Sequence, residues 1–103
     1  MVFIETSLFT KLALQHLTDD EYAALQAALM RHPDTGDLVP GSGGVRKLRW
    51  AGSGRGKRGG LRIIYYWRSR AGQIWLLTLY AKNERSTIPP HILRAIAEEI
   101  SDE

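Results

Sequence analysis

Leu61-Arg62-Ile63-Ile64-Tyr65-Tyr66-Trp67-Arg68, followed by Ser69-Arg70-Ala71-Gly72 and then Gln73-Ile74-Trp75-Leu76-Leu77-Thr78-Leu79-Tyr80, is the stretch that decides the fold class. Both flanks are β-branched and aromatic, and the short polar segment between them carries a glycine, so the three pieces read as a β-hairpin. The apolar character is nearly continuous where a half-exposed strand would alternate. Both faces of the hairpin must therefore be largely covered, by helices or by another surface. Alternation puts Arg62 with Ile64 and Tyr66 on one face, and Leu61, Ile63, Tyr65 and Trp67 on the other.

Upstream of this hairpin, eight of the ten glycines fall in residues 40–60, yet Val45-Arg46-Lys47-Leu48-Arg49-Trp50 among them has strand character. Further back, Phe9, Leu12, Ala13, His16 and Leu17 recur at the spacing of one helical face. Thr18-Asp19-Asp20-Glu21 is a capping box that opens a second helix, with Leu17 and Tyr22 as its hydrophobic staple. Pro33 ends that helix by opposing helical geometry at His32. The pattern predicts a helical hairpin over residues 7–32, preceded by a short strand in which Val2, Ile4 and Thr6 share a side. Pro89 and Pro90 start a last helix in which Leu93, Ile96 and Ile100 repeat. The expected order is β-α-α-β-β-β-α: an α+β fold in one domain, residues 1–103, with a small twisted, mainly antiparallel sheet packed against an N-terminal helical hairpin and a C-terminal helix.

Composition narrows the function classes. The chain has 103 residues, 44% of them apolar, and no cysteine, which removes disulfide frameworks, thiolate zinc sites and thiol catalysis. No apolar run approaches the roughly 20 residues of a membrane span, and Met1-Val2-Phe3-Ile4-Glu5 lacks the features of a signal peptide, so a cytoplasmic protein is expected. The net charge of +3 hides a sharp division. Residues 38–83 carry ten Lys and Arg and no acid, between flanks of −4 and −3. A polyanion is the natural partner of such a middle.

The glycine-rich loop Ala51-Gly52-Ser53-Gly54-Arg55-Gly56-Lys57-Arg58-Gly59-Gly60 invites a nucleotide-binding reading and fails it. A P-loop needs glycine at Ala51 and a hydroxyl residue at Arg58. A dinucleotide fingerprint would lead into a helix, and this loop leads into a strand. A solvated turn is the usual fate of a charge run. Here, however, Arg46, Lys47 and Arg49 on one strand, Arg55, Lys57 and Arg58 in the loop, and Arg62 and Arg68 on the next strand converge, with no acid to neutralise them. Nucleic acid fits best. Arg62 lies inside a strand, where it snorkels from the sheet edge, pairs with Glu84, or aims a fixed guanidinium at a phosphate. Lys82 falls on the Tyr80 face at the end of the last strand. Tyr65, Tyr66, Trp67 and Trp75 read as core. His16, His32 and His91 show no metal spacing, and of these His91 alone lies near the Lys82 segment.

Three strings, Gly43-Gly44-Val45-Arg46-Lys47-Leu48-Arg49, Gly54-Arg55-Gly56-Lys57-Arg58-Gly59-Gly60-Leu61-Arg62-Ile63-Ile64-Tyr65-Tyr66 and Leu77-Thr78-Leu79-Tyr80-Ala81-Lys82-Asn83-Glu84, resemble toxins of the RelE/ParE superfamily, most closely the HigB-type branch. The resemblance implies a RelE-like fold and a ribosome-dependent endoribonuclease that cuts messenger RNA in the ribosomal A site. It also implies a HigA-like helix-turn-helix antitoxin as partner beside the ribosome and mRNA. It implies no membrane, metal or cofactor. The implied reaction is attack of a ribose 2′-hydroxyl on the adjacent phosphate, giving a 2′,3′-cyclic phosphate and a 5′-hydroxyl, which needs a base, charge stabilisation and an acid.

By position, the resemblance assigns phosphate stabilisation to Arg62 and activation of the nucleophile to Lys47 or Lys57. Lys82 matches the basic residue after the last strand, and Arg49 joins Lys47 in the basic pair on the preceding strand. Arg46, Arg55, Arg58 and Arg68 complete the expected nucleic-acid contacts. Asn83 stands where relatives carry a second arginine, and Pro89 where RelE-like members carry a catalytic tyrosine. Tyr80, Glu84 and His91 are the available acids. Two alternatives stay open: a ParE-like inhibitor of DNA gyrase, and a basic RNA-binding domain without catalysis.

Overall fold

The computed structural model describes residues 1–51, 60–85 and 88–101. Its elements are β1 (Val2–Glu5), α1 (Ser7–His16), α2 (Asp19–Arg31), β2 (Asp37–Leu38), β3 (Arg46–Trp50), β4 (Leu61–Arg68), β5 (Gln73–Ala81) and α3 (Pro90–Ser101). The fold is α+β, with three helices and one five-stranded sheet in the order β1-β5-β4-β3-β2. The short strand β2 is additional to the expected elements. The sheet is mainly antiparallel, as expected, and mixed only because β1 runs parallel to β5 at one edge.

Local sequence explains the element ends. Thr18 Oγ1 accepts from the Glu21 amide at 3.1 Å and the Glu21 carboxylate accepts from the Thr18 amide at 2.9 Å, completing the expected capping box of α2. The helix stops at Arg31, two residues before Pro33. The β4–β5 hairpin closes through a 3₁₀ turn, Ser69–Ala71, and Gly72 at φ 64°, a left-handed conformation that costs glycine nothing.

The central hairpin is covered on both faces. Phe9 and Ala13 of α1 and Leu25 and Leu29 of α2 bury themselves against Leu61, Ile63 and Tyr65 of β4 and Ile74, Leu76 and Leu79 of β5. On the opposite face Leu93, Ala97 and Ile100 of α3 cover Val45, Ile64 and Leu77. What periodicity presents as a helical hairpin is thus two helices that each reach the sheet, with α1 lying along β5. Burying these side chains is the main stabilising term, and truncating one such as Leu25 to alanine costs about 2–5 kcal/mol.

A β-bulge breaks the hairpin's regularity. Ile64 pairs with Thr78 but Tyr65 pairs with Leu76, leaving Leu77 as the extra residue. Before the bulge Ile74 and Leu76 face α1 and α2; after it Leu79 and Ala81 do so, and the even-numbered residues change sides. Thr6 secures the irregularity. Its hydroxyl donates to the Leu77 carbonyl at 2.8 Å while accepting from the Phe9 amide at 3.0 Å as the N-cap of α1.

Candidate nucleic-acid interface

The β3–β4 register sets the basic site. Arg49 pairs directly with Arg62 and Lys47 with Ile64, so Lys47, Arg49 and Arg62 lie on the α3 face of the sheet. The apolar cluster under α3 takes in Val45, Ile64, Leu77, Tyr66, Trp75 and Tyr80 but not Arg49 or Arg62, which leaves their end of the face open. Beyond the last β5 residue the ladder adds one bond, Lys82 amide to Gly60 carbonyl at 2.9 Å, which brings Lys82 to the same end. Arg49, Trp50, Ala51, Gly60, Arg62 and Lys82 line one cleft there, about 390 Å³ in volume.

Gly60 lies against the central guanidinium at ordinary contact distance. A Cβ at that position would stand 3.6 Å from Arg62 Nη1 and 4.0 Å from Lys82 Cβ. Arg62 is half-buried and its Nη1 donates at 3.4 Å to the Leu61 carbonyl. Among the described residues, no carboxylate forms an ion pair with Lys47, Arg49, Arg62 or Lys82. Asp37 stands opposite Lys47 in the β2–β3 ladder without pairing with it. Trp50 pairs with Leu61 and packs its ring on the α1/α2 side, so the cleft takes only one edge of it. Cations with no paired carboxylate, at an open cleft, form a site for an anion such as a phosphate.

The bulge in β5 brings Tyr80 to this face. Tyr80 pairs with Arg62, and without the extra Leu77 it would share the side of Ile74 and Leu76. With Val39, Lys47, Ile64, Ile88, Pro90 and Leu93 it lines a second cleft between the sheet and the start of α3. Sequence alternation groups Tyr80 with Lys82 but gives no sign of the bulge that decides which face they take.

Other expected site residues lie elsewhere. Arg46 points to the opposite face, where its Nη1 donates to the carbonyls of Asp34 at 3.1 Å and Gly36 at 2.8 Å. It does not converge with its neighbours: it pins the loop before β2. Arg68 stands at the far end of β4, six residues from Arg62, donating to Gln73 Oε1 at 3.2 Å, so it too is outside the basic cleft. Glu84 does not reach Arg62 either. Its carboxylate accepts from the Ala81 amide at 3.0 Å and closes the turn after β5. Arg55, Lys57 and Arg58 lie outside the described residues. His91 is exposed on the first turn of α3.

Sequence reading missed the device that holds the strand pair beneath the site. The buried Tyr65 hydroxyl accepts from the Gly36 amide at 2.9 Å and donates to the Pro33 carbonyl at 2.7 Å. Gly36 is required by this approach, since a Cβ there would fall 2.9 Å from Tyr65 Cε1. Burial raises the Tyr65 pKa, against the lowering effects of the Gly36 amide and Arg46. The signal in the sequence was a lone glycine three residues after a proline, too common to single out.

Among the described residues no group of His, Asp and Glu is arranged to hold a metal ion, and no helix is long and apolar enough to cross a membrane. Compared with models of known protein families, the chain matches none.

Proposed function

We propose that this protein is a ribosome-dependent mRNA endoribonuclease with a RelE-like fold, the HigB-type toxin of a toxin–antitoxin pair. The observation that carries the reading is the placing of Lys47 and Lys82 on either side of Arg62. Lys47 sits at the level of Ile64 on β3, and Lys82 at the level of Gly60 after β5, with Arg62 between them on β4. In-line attack at phosphorus puts the nucleophile and the leaving group on opposite sides of the phosphate. Arg62 and Arg49 hold the non-bridging oxygens and stabilise the charge that develops on them. Water takes the proton of the attacking 2′-hydroxyl, whose developing negative charge the Lys47 ammonium stabilises, and Lys82 gives a proton to the departing 5′ oxygen, leaving a 2′,3′-cyclic phosphate and a 5′-hydroxyl.

Glu84 is engaged by the Ala81 amide, which favours Lys82 over it as the acid. A HigA-like antitoxin that masks the basic cleft, or blocks its approach to the ribosome, completes the proposed system. Brief induction followed by primer extension on one translated message tests the reading. Cuts confined to ribosome-occupied codons, absent in Arg62→Ala, are the expected result. Growth arrest with intact transcripts and a DNA-damage response would replace it with gyrase inhibition, and RNA binding without cuts would replace it with a non-catalytic domain.

A further inference from the structure

Lys82, the group that gives its proton to the leaving oxygen, stands one residue beyond β5, in a turn. Its amide donates to the Gly60 carbonyl at 2.9 Å, so Lys82 and Gly60 are a hydrogen-bonded pair and the preceding pair, Ala81 and Leu61, is a non-hydrogen-bonded one. The amide and carbonyl of Ala81 therefore point to the other edge of β5. β1 does not cover them there, because its register on β5 ends at Leu76. Glu84 satisfies both. Its amide donates to the Ala81 carbonyl at 2.9 Å, closing the turn Ala81-Lys82-Asn83-Glu84, and its carboxylate accepts from the Ala81 amide at 3.0 Å. The turn that carries Lys82 is thus tied to β4 through Gly60 and to the end of β5 through one exposed side chain.

We infer that Glu84 is a positioning residue for proton transfer from Lys82: its carboxylate holds the turn where the Lys82 ammonium meets the departing 5′ oxygen. The inference rests on the reading of the basic cleft as a ribonuclease site, and it adds what sets the acid in place. In that step the 2′ oxygen bonds to phosphorus while water takes its proton, and the bond from phosphorus to the 5′ oxygen breaks. The Lys82 ammonium protonates the released oxygen and becomes a neutral amine, which solvent reprotonates. Glu84 acts through Lys82 and takes no part in the proton transfer itself. The Ala81 amide needs an acceptor at the right reach and not a charge, so glutamine can replace Glu84 and alanine cannot. A misplacement of about 1 Å costs such a step up to about 100-fold.

Single-turnover cleavage of a message held in the A site of programmed ribosomes tests this on two linkages, the natural one and one whose leaving 5′ oxygen is replaced by sulfur. A thiolate departs without a proton, because a thiol has a pKa of only about 8.5. On the oxygen linkage Glu84→Ala is expected to lower the saturating rate about 10–100-fold, with the half-saturating protein concentration unchanged. Glu84→Gln should keep the native rate. On the sulfur linkage Glu84→Ala and Lys82→Ala should both regain the native rate and Arg62→Ala should not, since a better leaving group repairs neither a damaged fold nor lost phosphate binding. A Glu84→Ala defect that sulfur leaves in place would overturn the inference, and so would a Glu84→Gln variant as slow as Glu84→Ala, which would show that the charge acts. If the native protein leaves both linkages intact, the ribonuclease reading falls and this inference with it. Melting curves verify folding, and Glu84→Asp, which keeps the charge but shortens the reach, must show the same sulfur rescue where Glu84→Ala is unstable.

Discussion

Arg49 and Arg62 stand directly opposite each other in the β3–β4 ladder, on one face, with no described carboxylate paired to either. Like charges in this position destabilise a sheet by roughly 0.2–1 kcal/mol. A fold under stability selection alone would not keep the pair, so the arrangement favours an external anion. Arg49→Thr is expected to leave the melting temperature unchanged or raise it, while weakening RNA binding. Arg62→Ala should abolish cleavage without lowering the melting temperature. A loss of stability in Arg49→Thr would show that the pair is structural.

Salt should act in opposite directions on folding and on binding. Screening relieves the repulsion among Lys47, Arg49, Arg62 and Lys82, so the melting temperature rises with added sodium chloride. RNA affinity falls over the same range as counterions are retained. Lys82→Ala should reduce the slope of log affinity against log salt by about 1. Titrations at several salt concentrations check this, and an unchanged slope would remove Lys82 from the phosphate contacts.

Thr6 serves two elements with one hydroxyl, capping α1 and satisfying the bulge carbonyl of Leu77. Thr6→Val keeps the shape and removes both bonds. The cost is expected at about 1–3 kcal/mol, measured by urea denaturation. Because the bulge directs Tyr80 towards the Arg62 face, this variant should also lower RNA affinity, although Thr6 is on the edge of the sheet remote from the basic cleft. Thr18→Ala, which breaks the α2 capping box, should cost about 1 kcal/mol and leave binding unchanged.

Tyr65 and Tyr22 predict how stability responds to alkali. Burial is the first cause raising both pKa values, and at Tyr22 the hydroxyl's bond to the Glu5 carboxylate adds to it. A phenol with a raised folded pKa contributes stability that is fully present below its unfolded pKa of about 10 and is lost as pH rises through the folded value. Stability should therefore fall above about pH 10. Tyr65→Phe should flatten part of that fall, while costing about 1–3 kcal/mol at neutral pH because the Gly36 amide and Pro33 carbonyl lose their partner. Urea midpoints across the alkaline range measure both effects.

The sequence by itself determined the local elements: the Thr18–Glu21 box, the stop before Pro33, the hairpin turn at Gly72, and the two-sided burial implied by an unbroken apolar run. It also placed Arg62 with Ile64 and Tyr66 on one face, because strand alternation depends only on neighbours along the chain. Tertiary structure alone decided that β1 pairs in parallel with β5 and that the extra Leu77 turns Tyr80 to the Arg62 face. It also set Arg46 on loop carbonyls and Arg68 at the other end of β4. Charge counts add residues without regard to the face or end of the sheet they occupy. Strand order, register and bulges come from contacts between distant segments, and local periodicity does not encode them. The uniformly basic middle of the chain was legible at once, but only the folded register resolved it into a cleft of Arg49, Arg62 and Lys82, with Lys47 at its border.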